Sequence, residues 1–267
     1  VSDMHGFLFT AEGLPVEALF QIWQQKGAVT WTFFQNQIVR DGLKVKYSNA
    51  PDDLLRESAF CLIPASPVTH YIDTHASSNP CITVDEAGKW AVIIEGANTY
   101  SPDPADRAQR ARMERAVYRQ KGTLIASDFL VNSGSVIYAA QEQLIKTPMH
   151  LRIPADSLGK RDEVDRWLEL HSADMAELAE TRRQAAETFR NNVIRRNMKE
   201  LIDLLIADTD LLPCEAAEGI SIRRIASRES DRTAADLMVD IPTITADRSV
   251  REAANLLVSE CSPILGV

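Results

Sequence analysis

The sequence predicts an α/β fold, with a parallel sheet in the first part of the chain and long helices in the second. Three short apolar runs, at 59–63, 91–94 and 123–126, have the pattern of strands that are covered on both faces. Between the second and third runs, prolines open a helix that is predicted over 105–120. Because two strands joined by a helix form a parallel crossover unit, these runs predict neighbouring parallel strands. Apolar residues then recur at helical spacing from 162 to 207.

The composition argues against several classes of partner. A net charge of −9 over 267 residues is unlike a nucleic-acid-binding surface, and it does not favour binding to an anionic membrane. No apolar run approaches the roughly 18 residues that a membrane-spanning helix needs. The four cysteines are widely scattered without a CxxC pair, which predicts reduced thiols in a cytoplasmic protein and no zinc site or other metal site.

The first fifty residues carry weaker patterns. Residues 2–3 follow a single valine and are predicted to be the end of a strand, and 4–9 are predicted to continue into a loop. Gly13-Leu14-Pro15 opens an amphipathic helix. The segment 27–47 is mixed in character and is predicted to be rich in loops, although its aromatic residues are expected to pack against the sheet.

Asp3 is a candidate ligand of a nucleotide. In a Rossmann-type fold, an acidic residue at the end of the second strand accepts hydrogen bonds from the adenine ribose hydroxyls. A ribose with both hydroxyls free belongs to NAD, whereas NADP carries a phosphate there, so Asp3 favours NAD. The alternative is an ordinary loop aspartate, which is the common role of an exposed acid.

Small and amide residues follow each of the three predicted strands. Pro64-Ala65-Ser66 follows the first strand, Glu95-Gly96-Ala97-Asn98 the second, and Asn132-Ser133-Gly134-Ser135 lies shortly after the third. Ligands of open parallel sheets bind outside the carboxyl ends of the strands. A side-chain amide offers both a donor and acceptors, which suits a carboxamide or a ribose. Asn98 and Asn132 are therefore predicted to bind a ligand, and the alternative is that they are turn residues.

Two of these segments together resemble a known family. VIIEGAN at 92–98 and DFLVNSGSV at 128–136 are similar to the paired signatures of the glutamate/leucine/phenylalanine/valine dehydrogenases. The resemblance implies a Rossmann-like parallel sheet that lacks its first strand here. It also implies that Asn98 and Asn132 lie beside the nicotinamide ring and its ribose. Ala65 and Ser66 resemble the family's small strand-end residues, which let the nicotinamide ribose approach the main chain.

The resemblance implies oxidative deamination of an L-amino acid to a 2-oxo acid and ammonia, with NAD as cofactor, by a homo-oligomer acting on a small-molecule substrate. The sequence departs from the family at Ser133 and Ser135, where alanine and glycine are usual. It also has Ala139 where glutamate-specific members carry a serine that faces the substrate. Ser135 and Ala139 are thus expected beside the substrate, which is either glutamate or a branched-chain amino acid.

Parts of such an enzyme have no counterpart in this sequence. There is no G-x-G-x-x-G loop, and the family's catalytic lysine and aspartate are absent, so we expect no turnover from this chain alone. We predict a partial dinucleotide-binding domain over 1–150 and a helical region over 151–235. In the tail over 236–267, a short strand and a helix at 240–258 and the start of a second strand at 264–267 resemble the opening half of a cystathionine-β-synthase (CBS)-like module, which would bind an adenine nucleotide. The alternative is a generic strand-helix-strand. The alternative function is a non-catalytic, nucleotide-binding regulatory module.

One helix carries an unusual number of arginines. They stand at positions 107, 110, 112, 115 and 119, within the helix that joins the second and third predicted strands. Acidic residues are interleaved with them, which is typical of a solvated helix face with salt bridges. Helix N-termini, and not exposed arginine rows, bind phosphates in this type of fold. The row is therefore predicted to be a surface feature.

Overall fold

The structure is a computed structural model, and it describes residues 1–40, 45–66, 68, 70–75, 82–101 and 103–230, without the side chains of 37–40 and 228–230. The chain forms two compact units. The first consists of Val1–Ser127 together with Leu212–Cys214, and the second of Asp128–Leu211 together with the chain from Glu215 on. The predicted boundaries at 150 and 235 stay predictions, and the predicted CBS-like module lies outside the described residues.

The first unit begins with a small antiparallel sheet and two helices. β1 (Ser2–Asp3) and β2 (Gly6–Phe9) precede α1 (Val16–Lys26) and α2 (Thr30–Arg40), and β3 (Lys46–Ser48) completes a sheet of order β1-β2-β3. Both pairings in this sheet are antiparallel. Its core is formed by four buried apolar residues: Leu8, Leu19, Val29 and Phe33.

Two of the predictions for this region were wrong. The predicted loop at 4–9 contains β2, the central strand of the sheet, and its Phe7 and Leu8 are fully buried. The predicted loop-rich segment 27–47 contains the helix α2. Phe33 of α2 packs against Leu8, so tertiary burial of this aromatic face outweighs the weak local pattern. The aromatic residues of the segment do pack on the sheet, because Phe34 stacks on Tyr47 at 4.4 Å between ring centroids.

The parallel sheet follows. After a 3₁₀ helix (Pro51–Arg56) come β4 (Cys61–Leu62), β5 (Ile72–Asp73), β6 (Ile82–Thr83), β7 (Val92–Ile94) and β8 (Leu124–Ala126). β4, β7 and β8 form a parallel sheet of order β4-β7-β8, and β5 and β6 form a separate parallel pair. Leu62, Ile93 and Ile125 lie side by side in register. The three strands that the apolar runs predict are therefore confirmed, as is the Rossmann-like α/β class.

The predicted crossover helix is also present. α3 (Pro104–Glu114) continues as a π-helical turn over Arg115–Gln120 and returns the chain to β8. The Asp103 side chain caps its N-terminus by accepting hydrogen bonds from the backbone N–H groups of Ala105 and Asp106. On its inner face, Met113 and Val117 join the core that covers the sheet. The helix therefore buries one side of β7 and β8, as a crossover connection requires.

The second unit is helical throughout its described part. α4 (Asp128–Val131) and α5 (Gly134–Leu144) come first, and 3₁₀ turns follow at Met149–Leu151 and Ala155–Ser157. α6 (Arg161–Leu170), α7 (Ser172–Ala207) and α8 (Pro213–Ser230) complete the described chain, with α5 packed on α7. The predicted helical pattern from 162 to 207 is confirmed. Within the described ranges, no helix combines the length and apolar character that crossing a membrane requires.

Candidate functional site

The carboxyl ends of the parallel strands meet in the first unit. The carbonyl oxygen of Pro64, which follows β4, accepts hydrogen bonds from the N–H groups of Gly96 at 3.0 Å and Ala97 at 3.1 Å. On the other side, the N–H of Glu95 donates to the carbonyl of Ala126 at 3.1 Å. These bonds extend the sheet pairing by a residue or two beyond each strand. The three strand tips that the sequence singled out are thus direct neighbours.

Gly96 makes the close approach of two tips possible. A Cβ atom at this position would lie 3.3 Å from the Cγ2 atom of Ile63 and 3.5 Å from the carbonyl oxygen of Pro64. The first distance is tighter than an ordinary van der Waals contact. A Cβ atom at this position would therefore require the Ile63 side chain to shift by a few tenths of an ångström. The absence of a side chain at Gly96 lets a ligand approach this main chain closely.

The predicted ligand-binding residues of the first unit face solvent at these tips. Ala65, Ser66 and Asn98 are all exposed, and Gly96 is exposed between them, whereas Ala97 is buried. The tips of β4 and β7 therefore present small residues and one amide to solvent, at the edge of a sheet whose central residues Leu62, Ile93 and Ile125 are buried. This arrangement can receive a flat polar ligand against the backbone, because no large side chain stands at these four positions.

A buried hydroxyl at the tip of β8 lacks a hydrogen-bond partner. Ser127 is 1% exposed, and its Oγ atom has no partner among the described residues. Leaving a buried polar group unpaired costs about 1–3 kcal/mol, so such a group calls for a partner such as a ligand or a water molecule. Ser127 follows β8 directly, at the carboxyl end of that strand.

The second unit holds the other predicted residues. Asn132 follows α4 directly, and its N–H donates to the carbonyl of Asp128 at 2.6 Å. Ser135 and Ala139 are exposed in the first half of α5. Since they stand four residues apart, they share one face of that helix. Ser133, at the N-cap of α5, has a buried Oγ atom without a partner among the described residues.

The loop that carries Asn132 is held from α7. Asn197 on α7 is buried, and its Nδ2 atom donates to the carbonyl oxygen of Leu130 in α4 at 2.7 Å. The Oδ1 atom of the same side chain accepts a hydrogen bond from Nη1 of Arg224 at 2.5 Å. Asn197 therefore fixes the last turn before Asn132. The sequence analysis missed it, because a lone asparagine within a helical run carries no distinct signal.

Asp3 is engaged in a structural role. Its Oδ2 atom accepts hydrogen bonds from the N–H groups of Val29 and Thr30, and its Oδ1 atom accepts from the Thr30 hydroxyl and the N–H of His5. The carboxylate thus caps the N-terminus of α2. Burial alone would raise the pKa of Asp3, but the hydrogen bonds from Thr30, His5 and Val29 outweigh it and lower the pKa below its usual value.

The strand that carries Asp3 also differs from the expectation. β1 pairs antiparallel with β2 and does not belong to the parallel sheet of β4, β7 and β8. The premise that Asp3 ends a parallel strand was therefore wrong for the described sheet. The role of Asp3 in binding an adenine ribose stays a prediction.

A buried ionic cluster lies directly behind the tip of β7. Arg110 of α3 donates from Nη1 and Nη2 to the two carboxylate oxygens of Glu95, at 2.5 and 2.9 Å, and from Nε to Glu114 at 2.6 Å. The hydroxyl of Tyr71 donates to Glu95 at 2.8 Å, and the N–H of Cys214 donates to Glu114 at 2.8 Å. Both glutamates are fully buried.

This cluster corrects the prediction that the whole arginine row is a solvated face. The side chain of Arg110 is only 12% exposed, whereas that of Arg112 in the same row is 48% exposed. The partners of Arg110 hold its pKa well above the usual value, although desolvation acts in the opposite direction. The sequence signal available was the spacing of four between Arg110 and Glu114. Spacing alone cannot tell a buried pair from a surface pair.

We find no candidate metal-binding site among the described residues. No group of three or more histidine, cysteine, aspartate or glutamate side chains is placed to hold an ion there. The exposed polar side chains at the tips of β4 and β7 are the hydroxyl of Ser66 and the amide of Asn98. Such groups suit an uncharged carboxamide and sugar hydroxyls better than they suit a divalent cation.

The comparisons with known proteins agree with the strand-tip motifs. No curated protein gave a match to this chain. The family model described as Glutamate/Leucine/Phenylalanine/Valine dehydrogenase matches residues 1–202, which is well over half of the chain. The match includes both signatures, the one at 92–98 and the one at 128–136. The chain therefore belongs to the glutamate/leucine/phenylalanine/valine dehydrogenase family.

Proposed function

We propose that this chain is the NAD-binding part of an amino-acid dehydrogenase that converts an L-amino acid to a 2-oxo acid and ammonia. The observation that carries the proposal is the pair of hydrogen bonds from Gly96 and Ala97 to the carbonyl of Pro64. They bring the tips of β4 and β7 together as one exposed floor of small residues. Ligands of open parallel sheets bind at such an edge.

The residues at the tips fit the nicotinamide end of the cofactor. Asn98 would pair with the carboxamide or the ribose, because its amide both donates and accepts hydrogen bonds. Ala65 and Ser66 would allow the ribose to lie close to the main chain. The unpartnered hydroxyl of Ser127 offers one further hydrogen bond. As the family's second signature implies, Asn132 would also bind the cofactor.

The cofactor and the protein would have different roles in the reaction. NAD supplies the hydride-accepting ring, and the protein supplies binding and orientation. The exposed tips of β4 and β7 would support one face of the ring through the backbone around Gly96. Asn98 would fix the rotation of the carboxamide, so that one face of the ring is directed to the substrate. No described residue at the tips is assigned a proton-transfer role.

The substrate would be recognised in part from α5. Ser135 and Ala139 share one exposed face of this helix, one turn apart. A methyl group at 139 removes the hydroxyl with which a glutamate-specific member would contact a carboxylate. This favours a branched-chain amino acid, whereas the EGAN segment favours glutamate. Substrate analogues therefore need to be compared directly.

Isothermal titration calorimetry of the chain with NAD and with ADP-ribose tests the proposal. We expect NAD to bind with micromolar to millimolar affinity and ADP-ribose, which lacks the nicotinamide, to bind more weakly. Asn98→Ala and Asn132→Ala should each weaken NAD binding more than ADP-ribose binding, because ADP-ribose keeps the ribose but lacks the carboxamide. Asn192→Ala, at an exposed position of α7, is the matched control. No binding of NAD by the unmodified chain would contradict the proposal.

Two further measurements test the role of Asp3 and the deamination activity. If Asp3 holds the adenine ribose, Asp3→Asn should weaken NAD and ADP-ribose equally, and NADP should bind more weakly than NAD. The intact natural protein should release ammonia from glutamate, leucine or valine when NAD is present. Binding of NAD without deamination of any amino acid by that protein would favour the regulatory module over the enzyme.

A further inference from the structure

The buried cluster around Arg110 lies where it can control the strand tip. Glu95 is the first residue after β7, and the next three residues are the exposed Gly96, the buried Ala97 and the exposed Asn98. The Glu95 carboxylate accepts two hydrogen bonds from Arg110 and one from Tyr71. Its backbone N–H is bonded to the carbonyl of Ala126. Main chain and side chain of Glu95 are therefore both held.

We propose that Arg110 is a positioning residue, which acts through Glu95 to hold the segment 95–98 in the conformation that receives the nicotinamide ring. The proposal rests on the function proposed above. Arg110 would not touch the cofactor itself. Its guanidinium joins the strand tip to the end of α3, because the same group also binds Glu114, the last residue of that helix.

The geometry of the guanidinium supports this role. A bidentate pair between arginine and a carboxylate fixes orientation as well as distance, since two parallel hydrogen bonds share one plane. The second carboxylate is anchored independently, because Glu114 accepts a hydrogen bond from the N–H of Cys214. Arg110 is thus anchored through Glu114 on one side, and on the other side it binds Glu95, the first residue of the segment 95–98.

Stability alone is a weak reason for such a cluster. Two fully buried glutamates and a nearly buried arginine all lose hydration, and apolar residues of the same volume often give an equally stable core. A buried ionic group does define one geometry, because few arrangements satisfy all of its hydrogen bonds. Because Glu95 begins the segment 95–98, the cluster can fix the conformation of that segment.

The test compares two ligands on each variant of the 267-residue chain. ADP-ribose contains the adenosine, the diphosphate and the second ribose of NAD but no nicotinamide, so its binding does not depend on the contacts of the ring itself. Arg110→Lys keeps the positive charge but cannot make the bidentate pair of hydrogen bonds to Glu95, and Arg110→Met lacks both the charge and the hydrogen bonds. For both variants we expect NAD affinity to fall about tenfold and ADP-ribose affinity to stay within about twofold.

Arg183→Met is the matched control. Arg183 on α7 also pairs with two glutamates, Glu180 and Glu187, but all three side chains are exposed. This variant should bind both ligands as the unmodified chain does. If Arg110→Met does not fold, Tyr71→Phe removes one donor to Glu95 with little change of volume, and it should lower the preference for NAD over ADP-ribose about threefold.

The outcomes separate the two proposals. If the unmodified chain prefers NAD over ADP-ribose and the Arg110 and Tyr71 variants keep that preference, the positioning role is overturned and the proposed function stands. If both affinities fall together in these variants, the cluster is structural and the positioning role is again overturned. If the unmodified chain does not bind NAD, the proposed function fails and this inference fails with it.

Discussion

The Asp3 carboxylate lies at the N-terminus of α2 and accepts two hydrogen bonds from Thr30, one from its backbone N–H at 2.9 Å and one from its hydroxyl at 2.6 Å. The two residues are 27 positions apart in the chain. Thr30 is fully buried, so its N–H has no water to bond with. A residue from the first hairpin therefore satisfies the unpaired donors of a helix that begins much later.

Removing this cap should destabilise the chain. Asp3→Ala leaves the N–H groups of Val29 and Thr30 and the Thr30 hydroxyl without their acceptor. We expect a loss of about 1–2 kcal/mol in the free energy of unfolding, the upper part of the range for helix caps. Urea denaturation followed by circular dichroism measures it. Glu12→Ala, at an exposed position of the same unit, should change the free energy by less than about 0.5 kcal/mol.

The contribution of the Asp3 cap to the free energy of unfolding should decrease at acidic pH. Because the folded-state pKa of Asp3 is lowered, its contribution to stability is present above the unfolded-state pKa of about 3.9. The contribution is lost as the pH falls through the lower folded-state value. The difference in stability between the unmodified chain and Asp3→Ala should therefore be constant from pH 7 to pH 5 and shrink below pH 4. A difference that persists unchanged at pH 3 would contradict this assignment.

The sequence predicted the parallel sheet well for a physical reason. Each of its strands has at least one buried residue and no exposed residue, and such a strand is a continuous apolar run that stands out from its surroundings. Glycine, proline and asparagine then mark the strand ends, because few other residues tolerate those backbone positions. The positions of Ala65, Ser66 and Asn98 at neighbouring tips followed from these two signals alone.

The contacts that join distant segments could not be predicted in the same way. Arg110 and Glu95 are 15 residues apart, and Asp3 and Thr30 are 27 apart. Nothing in the local pattern of a charged residue shows which distant partner will bury it. β2 and α2 were missed for a related reason. Their aromatic and aliphatic residues become a core only when Phe33 meets Leu8.

Because the tips of β4 and β7 lie close together, replacing Gly96 should weaken NAD binding. Gly96→Ala places a methyl group 3.3 Å from Cγ2 of Ile63 and 3.5 Å from the carbonyl oxygen of Pro64, so the Ile63 side chain must shift at the tips of β4 and β7. Overpacking of this kind costs about 1–3 kcal/mol, and we expect NAD affinity to fall by a factor of about ten. Calorimetric titration with NAD measures the fall. An unchanged affinity would show that the spacing of the tips does not matter for binding.

Gly219→Ala is the control for that substitution. Gly219 lies within α8, and a Cβ atom there would meet no other atom within 4 Å. Alanine has a higher helix propensity than glycine and restricts the unfolded chain more. The variant should therefore gain about 0.5–1 kcal/mol in the free energy of unfolding. Its affinity for NAD should equal that of the unmodified chain, since the change lies outside the strand tips.

Replacing Asn197, which holds the turn before Asn132, should also destabilise the chain. Asn197→Leu leaves the carbonyl of Leu130 without its donor and takes an acceptor from Arg224. An unsatisfied buried group costs about 1–3 kcal/mol, and we expect a loss of that size by urea denaturation. Asn192→Leu, on the exposed surface of the same helix, should change the stability by less than about 0.5 kcal/mol. Equal effects of the two substitutions would contradict the anchoring role.

Tyr71 predicts how the chain responds to alkaline pH. Burial raises the pKa of Tyr71 well above its usual value, and the neighbouring charge of Glu95 raises it further. A tyrosine in the unfolded chain ionises near pH 10, whereas Tyr71 in the folded chain keeps its proton. Its contribution to stability is therefore fully present below pH 10. Above that pH the free energy of unfolding falls by up to about 1.4 kcal/mol for each pH unit.

Comparison with Tyr71→Phe isolates this effect from other alkaline changes. At pH 8 the variant lacks the hydrogen bond to the Glu95 carboxylate, so it should be less stable than the unmodified chain by about 1–3 kcal/mol. The phenylalanine cannot ionise, so this difference should shrink as the pH rises from 10 to 11. Urea denaturation at pH 8, 10 and 11 measures both quantities. A difference that stays constant to pH 11 would mean that Tyr71 ionises in the folded chain as readily as in the unfolded one, and that the cluster behind the strand tip is open to solvent.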